Sequence, residues 1–344
     1  MIEAYWAWVG GPTARLLGSW VDGISIPISE ILLILALALI FFRLSLPWIG
    51  LSVPIIWWIG PILLGIMAFS QGVTTIDWVP SVFRTPPHIR AGSVSVGENF
   101  HGWKERVKER VFLFSEEAYL QAESSPNLKE VDRAVKRVLN GLSYPPGREV
   151  KKIKEMMGLT RLMGLAYGGP AYHDVVTGEV VMAAENDLPR TKVYRWLTVV
   201  HEIAHAQGFT REIDAEVLTW LILKEMESPF AQFCADVQAL SKGPWEWKAP
   251  PAYRKEQDKV LMARKSLKQP VVAWLSSIWK RGGLQNNVVK YGSISKSRPP
   301  VNHPFFGVVL KWDVGNSMVF DAEIEVKGED ESVEKGASLF PDLD

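Results

Sequence analysis

The hydrophobic residues of this chain are concentrated in its first seventy positions, where two long apolar stretches occur. Residues 31–42 read ILLILALALIFF, and residues 44–69 contain no charged side chain. A helix needs about 20 apolar residues to cross the hydrocarbon layer of a membrane, and the tryptophans of the second stretch suit the membrane interface. The pattern therefore predicts two transmembrane helices, near residues 26–43 and 51–70.

The first stretch has two possible interpretations besides a membrane span. A secretory signal peptide is disfavoured, because it would start closer to the N-terminus and would carry a basic leader and a small-residue cleavage site. A buried helical hairpin of a globular domain stays open as the alternative. We assign residues 26–72 to the membrane region. Residues 1–25, with Trp6, Trp8 and Trp20, are assigned to an amphipathic segment at the membrane interface.

The remainder of the chain alternates predicted helices with one strand region. A linker with several prolines and glycines covers residues 73–100, and one domain follows over residues 101–310. The strand is predicted at residues 175–183. Helices are predicted at residues 101–122, 127–139, 149–157, 190–207, 211–227 and 253–280. The expected fold is mainly α, with two transmembrane helices followed by an α+β domain with a small sheet, and residues 311–344 form an acidic tail that we expect to be disordered.

The charge balance argues against nucleic-acid binding, and the cysteine content argues against a disulfide framework or a thiolate-rich metal site. The chain has 38 basic and 38 acidic side chains, so it lacks the excess of positive charge that is typical of nucleic-acid-binding proteins. We therefore expect no nucleic-acid partner. The single cysteine, Cys234, excludes a disulfide within the chain and a thiolate-rich metal site. We expect this residue to be buried in a helix.

One short motif has a defined chemistry, namely His201-Glu202-x-x-His205. Two histidines four residues apart lie on one face of a helix, so both imidazoles can bind the same metal ion. Zinc accepts such nitrogens and keeps a position for water in catalytic sites. It lowers the pKa of that water toward about 7. Glu202 is then the expected general base, although the motif alone also occurs by chance.

The residues that follow the motif strengthen the metal-site hypothesis. Gly208 allows a turn three residues after His205, and Glu212 and Glu216 share one face of the next predicted helix. One glutamate can bind the metal while the other orients a ligating histidine. We favour Glu212 as the ligand and Glu216 as the orienting residue or alternative ligand. Ordinary solvated glutamates at a helix start are the remaining interpretation.

The segment HEIAHAQGF-TREIDAEV resembles an uncharacterised family of bacterial zincin-like membrane proteins, known only as a domain of unknown function. Members combine N-terminal transmembrane helices with H-E-x-A-H, a following G-F or G-Y, and an E-x-E-A-N segment. The resemblance implies a zincin-like metallopeptidase domain with His201, His205 and Glu212 as metal ligands. Asp214 and Glu216 depart from the family pattern. The arrangement is more distantly similar to gluzincin membrane endopeptidases that process prenylated proteins.

The leading hypothesis is a membrane-anchored zinc metallopeptidase that hydrolyses peptide bonds with metal-activated water. Its expected cofactor is Zn²⁺, and its expected partners are the lipid bilayer and a peptide or protein substrate. The resemblance implies a bacterial inner-membrane protein whose catalytic domain lies outside the cytoplasm. The strand at residues 175–183 is either a sheet edge that binds an extended peptide or an ordinary strand.

The alternative hypothesis is a non-catalytic membrane protein. Its helical domain would bind partners, and its metal site would be structural or vestigial. An intramembrane protease is excluded, because charged residues flank the motif helix on both sides.

Overall fold

The computed structural model describes residues 21–45, 98–142, 146–167, 170–174, 178–209, 212–242 and 246–266. Over these residues the chain is mainly helical and has one small sheet of three strands, as predicted. The strands are β1 (Ile153–Glu155), β2 (Ala171–His173) and β3 (Val180–Met182). The helices are α1 (Ile28–Ser45), α2 (Glu98–Phe112), α3 (Glu116–Gln121), α4 (Leu128–Gly141), α5 (Gly158–Tyr167), α6 (Lys192–Ala206), α7 (Glu212–Glu225), α8 (Pro229–Lys242) and α9 (Pro251–Ser266).

Helix α4 shows how a local sequence pattern determines an element. The side chain of Asn127 accepts a hydrogen bond of 3.0 Å from the main-chain N–H of Lys129 and so caps the first turn. The helix then buries one apolar face against the core. This face consists of Val131, Ala134, Val135, Val138 and Leu139. The helix predicted at residues 127–139 is therefore confirmed.

The long helix predicted at residues 101–122 is divided into α2 and α3. The break falls at residues 113–115, where the Ser115 hydroxyl accepts a hydrogen bond of 3.4 Å from the N–H of Ala118 and starts α3. Helix α9 accounts for the first part of the helix predicted at residues 253–280, and the rest of that prediction lies outside the described residues.

The three strands lie in the order β1-β3-β2. Strand β1 pairs with β3 in parallel, with Lys154 opposite Val181. Strand β2 pairs with β3 in the antiparallel sense, with His173 opposite Val180. Strand β3 lies within the strand predicted at residues 175–183 and is the central strand of the described sheet. Of the two interpretations left open above, this position favours the ordinary strand over the peptide-binding edge.

The helix predicted at residues 149–157 is also wrong, because β1 occupies this region. Val150, Ile153 and Met157 are spaced as on a helix, but burial alternates along the strand: Lys154 and Met156 are buried and Glu155 is exposed. Pairing with β3 and a buried ion pair between Lys154 and Glu179 outweigh the local helical pattern.

Helix α5 was not predicted, because Gly164 and the Gly-Gly-Pro sequence at residues 168–170 interrupt the helical pattern. It begins at Gly158, which has a positive φ of 45°, and continues through Gly164. A glycine inside a helix costs only about 1 kcal/mol relative to alanine. Packing of α5 against α1 supplies tertiary contacts that a sequence window does not contain.

Helix α7 lies at the centre of the helical layer, where it packs against α4, α6 and α8. Every side chain from residue 217 to residue 223 is buried, including that of Trp220. On α8, Cys234 is fully buried, as predicted. Also on α8, Asp236 binds Arg110 of α2 at 2.9 Å and Lys224 of α7 at 2.5 Å, and so links three helices.

The segment that leads into α1 is joined to the sheet by buried charges. The carboxylate of Glu179, next to β3, accepts hydrogen bonds of 3.0 and 2.9 Å from the N–H of Ile28 and so caps α1. Lys154 of β1 ion-pairs with Glu179 and donates to the carbonyl oxygens of Val21 at 2.8 Å and Ile26 at 3.2 Å. The start of α1 is therefore an integral part of the folded domain.

Helix α1 coincides with the first predicted membrane span, at residues 26–43. Its Glu30 carboxylate is buried and accepts a hydrogen bond of 3.1 Å from the N–H of Thr160. Exposed apolar side chains follow along the helix, namely Ile31, Ile34, Leu35, Leu37 and Phe41.

Among the residues that the structure describes, no helix combines the length and the apolarity that crossing a membrane requires. The first predicted span is thus confirmed as a helix and not as a span. The second, at residues 51–70, lies outside the described residues, as do residues 1–20, the linker up to residue 97 and the acidic tail.

Candidate metal centre

Helix α6 places both motif histidines on one face. The helix begins after Thr191, whose hydroxyl accepts a hydrogen bond of 3.2 Å from the N–H of Tyr194. His201 and His205 follow one turn apart, and their Nε2 atoms are 3.0 Å from each other. Their rings are nearly perpendicular, with an interplanar angle of 89°. The two nitrogens therefore point to a common position.

A tight turn brings the first residue of α7 to these histidines. Gly208 has a φ of 98°, a conformation that favours glycine, and α7 begins at Glu212 shortly afterwards. The Glu212 carboxylate lies 3.0 Å from His201 Nε2 and 3.6 Å from His205 Nε2. The structure thus brings together the three side chains that the sequence analysis selected as metal ligands.

The main chain of the same turn orients His205. Its Nδ1 atom lies 2.7 Å from the carbonyl oxygen of Phe209 and donates a hydrogen bond to it. With its proton on Nδ1, the neutral imidazole has its electron pair on Nε2, which is the nitrogen that faces His201 and Glu212. Histidines that bind metals commonly donate their second nitrogen to a carbonyl or carboxylate in this way.

Electrostatic interactions within the cluster shift the pKa values of Glu212 and His205. Burial alone would raise the pKa of Glu212, but His205 and His201 outweigh burial and hold the pKa well below its usual range. Burial alone would lower the pKa of His205, but Glu212, Glu202 and the Phe209 carbonyl raise it to about 9. The Glu212 carboxylate is therefore ionised near neutral pH and supplies negative charge at the position where the two imidazoles meet.

Glu202 lies between the two histidines in sequence and is buried. Burial raises the pKa of this carboxyl group, while His205 and His201 oppose the rise. The main chain of His173 also donates a hydrogen bond to Glu202. The carboxylate is therefore held between α6 and the edge strand β2.

His173 itself lies on β2 and is buried beside the cluster. Burial, together with the positive charges of His205 and Arg148, lowers the pKa of its side chain to about 3. Its imidazole is consequently neutral, and its backbone N–H is the group that contacts Glu202. The sequence does not indicate this role of His173, because a contact made by the main chain has no side-chain pattern.

Glu216 is placed differently from Glu212. Its carboxylate forms an ion pair with Lys242 of α8, and its carbonyl oxygen accepts a hydrogen bond of 3.1 Å from Gln238. Within the described ranges, the group whose ligand atoms lie within 4.8 Å of one another consists of His201, His205 and Glu212. The structure therefore does not bring Glu216 into the cluster.

The donor set and its spacing fit a zinc ion. Two imidazole nitrogens and one carboxylate are the protein ligands of many catalytic zinc sites. Ligand atoms at bond lengths of about 2.0–2.1 Å in a tetrahedral arrangement stand about 3.3 Å apart. The separations in this cluster are 3.0, 3.0 and 3.6 Å, so only small side-chain adjustments are needed.

The sheet edge beside the candidate metal centre is β2 rather than β3. In the β2–β3 pair, the N–H of Ala183 donates to the carbonyl oxygen of Pro170 at 3.0 Å, and the N–H of Asp174 donates to that of Glu179 at 2.9 Å. Every second residue of β2 therefore directs its main-chain groups to β3. The main-chain groups of Ala171 and His173 therefore point away from β3. Strand β2 also packs against α6, which places this edge next to Glu202.

A family model described as "Protein of unknown function (DUF3810)" matches residues 12–276. The match covers most of the chain, and the chain therefore belongs to this family. No curated protein and no solved structure matches the chain.

Proposed function

We propose that this member of a family of unknown function is a membrane-anchored zinc metallopeptidase that hydrolyses peptide bonds. The single observation that carries the proposal is the convergence of His201, His205 and Glu212 on one position. Zinc held there would lower the pKa of a water ligand to about 7 and so supply a nucleophile near neutral pH.

Glu202 is the general base in this proposal. Its carboxylate is buried, so burial raises its pKa and makes it a better proton acceptor than an exposed glutamate. The hydrogen bond from the His173 main chain restricts its position. Glu202 would take the proton from the attacking water and deliver it to the leaving amine.

The accessibility of the cluster supports a catalytic site over a structural one. Structural zinc sites are closed and have four protein ligands, whereas catalytic sites keep one position open. The side chains of His201 and Glu212 are 20% and 26% exposed, while that of His205 is 3% exposed. One side of the cluster is thus open to solvent in the described part of the chain.

The substrate in this proposal is an extended peptide that pairs with the outer edge of β2. Such pairing uses main-chain hydrogen bonds and places few demands on the substrate's side chains. Ala171 offers outward-facing main-chain groups, and the neighbouring His173 connects this edge to Glu202. This assignment replaces the edge that was expected at residues 175–183.

Membrane attachment is also part of the proposal. The exposed apolar side chains of α1 and the apolar stretch at residues 44–69 support an anchor in the bilayer. We place the protein in the bacterial inner membrane, with the metal centre outside the cytoplasm, on the basis of the sequence resemblance.

Metal analysis combined with peptide profiling tests the function. The full chain is purified in detergent without chelators, its metal content is measured, and cleavage of a diverse peptide library is followed by mass spectrometry. We expect about one zinc per chain. Glu202→Gln should keep the zinc and lose about 10²–10⁴-fold in cleavage rate, which is the usual contribution of a general base.

Glu227→Gln is the matched control, because Glu227 is exposed and its substitution should leave the rate unchanged. If Glu202→Gln cleaves as fast as the unmodified chain, Glu202 is not the base. If the unmodified chain holds no divalent metal and cleaves no peptide, the proposed function is wrong.

A further inference from the structure

A buried arginine lies at the end of β2 that is remote from Glu202. The guanidinium group of Arg190 donates hydrogen bonds to the carbonyl oxygens of Pro170 at 3.1 Å and Ala183 at 2.5 Å. Pro170 directly precedes β2, and Ala183 directly follows β3. Arg190 therefore binds one end of the β2–β3 pair, whereas His173 at the other end of β2 contacts Glu202.

A second arginine reaches the same place from α9. The Nε atom of Arg264 donates a hydrogen bond of 2.8 Å to the carbonyl oxygen of Pro189, the residue before Arg190. The two terminal nitrogens of Arg264 have no hydrogen-bond or ion-pair partner among the residues that the structure describes. Arg264 is only partly buried, so these nitrogens are available to a ligand in the described part of the chain.

The charges of these two guanidinium groups are not paired with a carboxylate in the described ranges. The Arg190 side chain donates to carbonyl oxygens, and Glu185, whose charge also acts on it, pairs with Arg195 at 2.7 Å. Burial lowers the pKa of Arg190, and the charges of Arg195 and Arg264 lower it further. A buried charge is costly unless it is paired, so an anion bound here would compensate it.

Tyr194 connects these arginines to the candidate metal centre. It lies seven residues before His201 on α6, which is nearly two full turns and hence the same face of the helix. Tyr194 is 38% exposed. Partial burial raises the pKa of its hydroxyl, and the positive charges of Arg264 and Arg190 oppose this rise, while the charge of Glu202 adds to it. The phenol is therefore within the electric field of both arginines and of the proposed general base.

The spacing along α6 agrees with an extended peptide on the outer edge of β2. At about 1.5 Å per residue, Tyr194 lies about 10.5 Å from His201 along the helix axis, and slightly further from the position that both histidines share. A peptide in a strand advances about 3.3 Å per residue. Three or four residues of substrate therefore cover the distance from the metal ion to Tyr194.

The direction of β2 determines which side of the substrate reaches the arginines. Strand β2 runs from Pro170 toward His173, and so toward the candidate metal centre. An antiparallel peptide runs in the opposite direction, and antiparallel pairing is slightly more stable than parallel pairing. The residues that follow the scissile bond therefore extend toward Tyr194 and Arg264.

The donors at this position fit a carboxylate. The two terminal nitrogens of a guanidinium group match the two oxygens of a carboxylate, and such hydrogen bonds are strengthened by charge. A phenol hydroxyl can donate one further hydrogen bond. In a peptide, a carboxylate comes either from an acidic side chain or from the C-terminus.

We propose that Arg264 and Tyr194 bind a carboxylate of the substrate, three or four residues after the scissile bond, while the buried Arg190 adds positive charge. Because it rests on the proposed peptidase function, this subsite defines the substrate of that function. The substrate is a peptide with an acidic residue at this position, or a peptide that ends there. The three side chains determine specificity and take no part in the chemical step.

Peptide hydroxamates test the subsite in the full chain in detergent. The hydroxamate group binds zinc, so it fixes the position of each residue that follows. A series of neutral peptide hydroxamates with an amidated C-terminus carries one glutamate at the second to the sixth residue, and glutamine replaces it in the matched series. We expect glutamate to bind about tenfold more tightly than glutamine at the third or fourth residue, since a hydrogen bond to a charged group is stronger than a neutral one.

Shortened peptides distinguish the two sources of the carboxylate. If the ligand is a C-terminus, hydroxamates that end at the third or fourth residue should bind more tightly as free acids than as amides. If it is a side chain, the internal glutamate should have the larger effect. Equal affinity of acidic and neutral peptides in both series would overturn the subsite.

Arginine variants of α9 show whether the preference comes from the proposed residues. Arg264→Gln should reduce the preference for glutamate from about tenfold to about twofold or less, and Arg264→Lys should keep more of it because the charge remains. Arg254→Gln is the matched control, since Arg254 lies on the same helix, is exposed and donates to the carbonyl oxygen of Ala249 at 3.2 Å. Equal losses in Arg264→Gln and Arg254→Gln would contradict the assignment.

Tyr194→Phe provides a milder test, because it removes only one hydroxyl group from a partly exposed residue. It should lower the preference for glutamate several-fold, and thermal unfolding should confirm that the variant is folded. An unchanged preference would remove Tyr194 from the subsite. If neutral hydroxamates bind but acidic ones bind no better, the subsite is wrong and the metal centre stands. If no hydroxamate binds and no peptide is cleaved, the proposed function fails, and the subsite fails with it.

Discussion

The main-chain N–H of Gly147 donates a hydrogen bond of 2.8 Å to the side-chain oxygen of Gln207, which directly follows α6. The side-chain nitrogen of Gln207 in turn donates to the carbonyl oxygen of Arg148, also at 2.8 Å. This pair of bonds fastens the end of the motif helix to the segment that leads into β1. The turn through Gly208, which brings Glu212 to the histidines, starts from this fixed point.

Substitution of Gly147 by alanine should therefore disturb the geometry of the candidate metal centre from a distance. A Cβ atom at Gly147 would lie 2.8 Å from Gln207 Cα and 2.9 Å from the carbonyl oxygen of Ala206. Both are main-chain atoms, so the end of α6 must shift. We expect Gly147→Ala to lower stability by about 1–3 kcal/mol, the usual cost of overpacking, and to weaken zinc binding in a chelator competition.

Gly141→Ala is the matched control for this substitution. A Cβ atom at Gly141 would meet nothing within 4 Å, and alanine favours the helix that contains this residue. The control should be as stable as the unmodified chain or slightly more stable. If both alanine variants bind zinc equally well, the contact between Gly147 and Gln207 does not support the site.

The two glutamates of α7 should differ in their effect on metal binding. Glu212→Gln removes a carboxylate that lies 3.0 Å from His201 Nε2, so we expect the zinc affinity to fall by about a hundredfold or more, at least as much as for loss of an orienting group. Glu216→Gln only breaks the ion pair with Lys242. It should leave the zinc affinity unchanged in the same competition assay.

Glu216→Gln serves as the control in that comparison, since both variants change one α7 carboxylate to an amide. The Glu216–Lys242 pair is partly exposed, and such pairs contribute about 0–1 kcal/mol to stability. If Glu216→Gln loses zinc while Glu212→Gln keeps it, the assignment of the third ligand is reversed.

Replacement of Lys154 by methionine should strongly destabilise the protein. The side chains of Lys154 and Glu179 are each 1% exposed, and the substitution removes the ammonium group that compensates the charge of the buried Glu179 carboxylate. Such changes cost about 3–5 kcal/mol. Thermal unfolding in detergent measures the loss, and exchange of the Ile28 amide should show whether the segment before α1 has detached.

Two further variants separate charge from packing. Lys154→Met combined with Glu179→Gln removes both charges but keeps an acceptor for the Ile28 N–H, so it should recover at least about 1 kcal/mol. Lys152→Met, at an exposed neighbour, should change stability by less than about 0.5 kcal/mol. Equal stability of Lys154→Met and Lys152→Met would show that the buried pair has no structural role.

The parts of the fold that follow from local sequence could be predicted well. The cap at Asn127 and the helix after it depend on residues a few positions apart, as does the common face of His201 and His205. The helix predicted at residues 149–157 failed because Lys154 is paired with Glu179, which is 25 residues away in sequence. A local window contains no information on such a partner.

The residues of the candidate site could be predicted where the spacing of side chains along a helix brings them together. They could not be predicted where a main-chain group makes the contact. The carbonyl oxygen of Phe209 orients His205, and the N–H of His173 binds Glu202. Every residue has these groups, so no residue type marks them. Glu216 was expected near the cluster because it shares a helical face with Glu212, but it lies one turn, about 6 Å, further along α7, where its carboxylate pairs with Lys242.

The capping of α1 by Glu179 has a practical consequence for where this protein can be cut. A fragment that starts after Ser45 would lose the backbone carbonyls that Lys154 binds, the Ile28 amide that Glu179 binds, and the Asp22 carboxylate that pairs with Arg148 at 2.5 Å. The buried charged side chains of Lys154, Glu179 and Arg148 would then lose these partners. The smallest fragment expected to fold autonomously therefore begins no later than Val21 and includes all of α1, although a fragment designed to remove apolar segments would omit this helix.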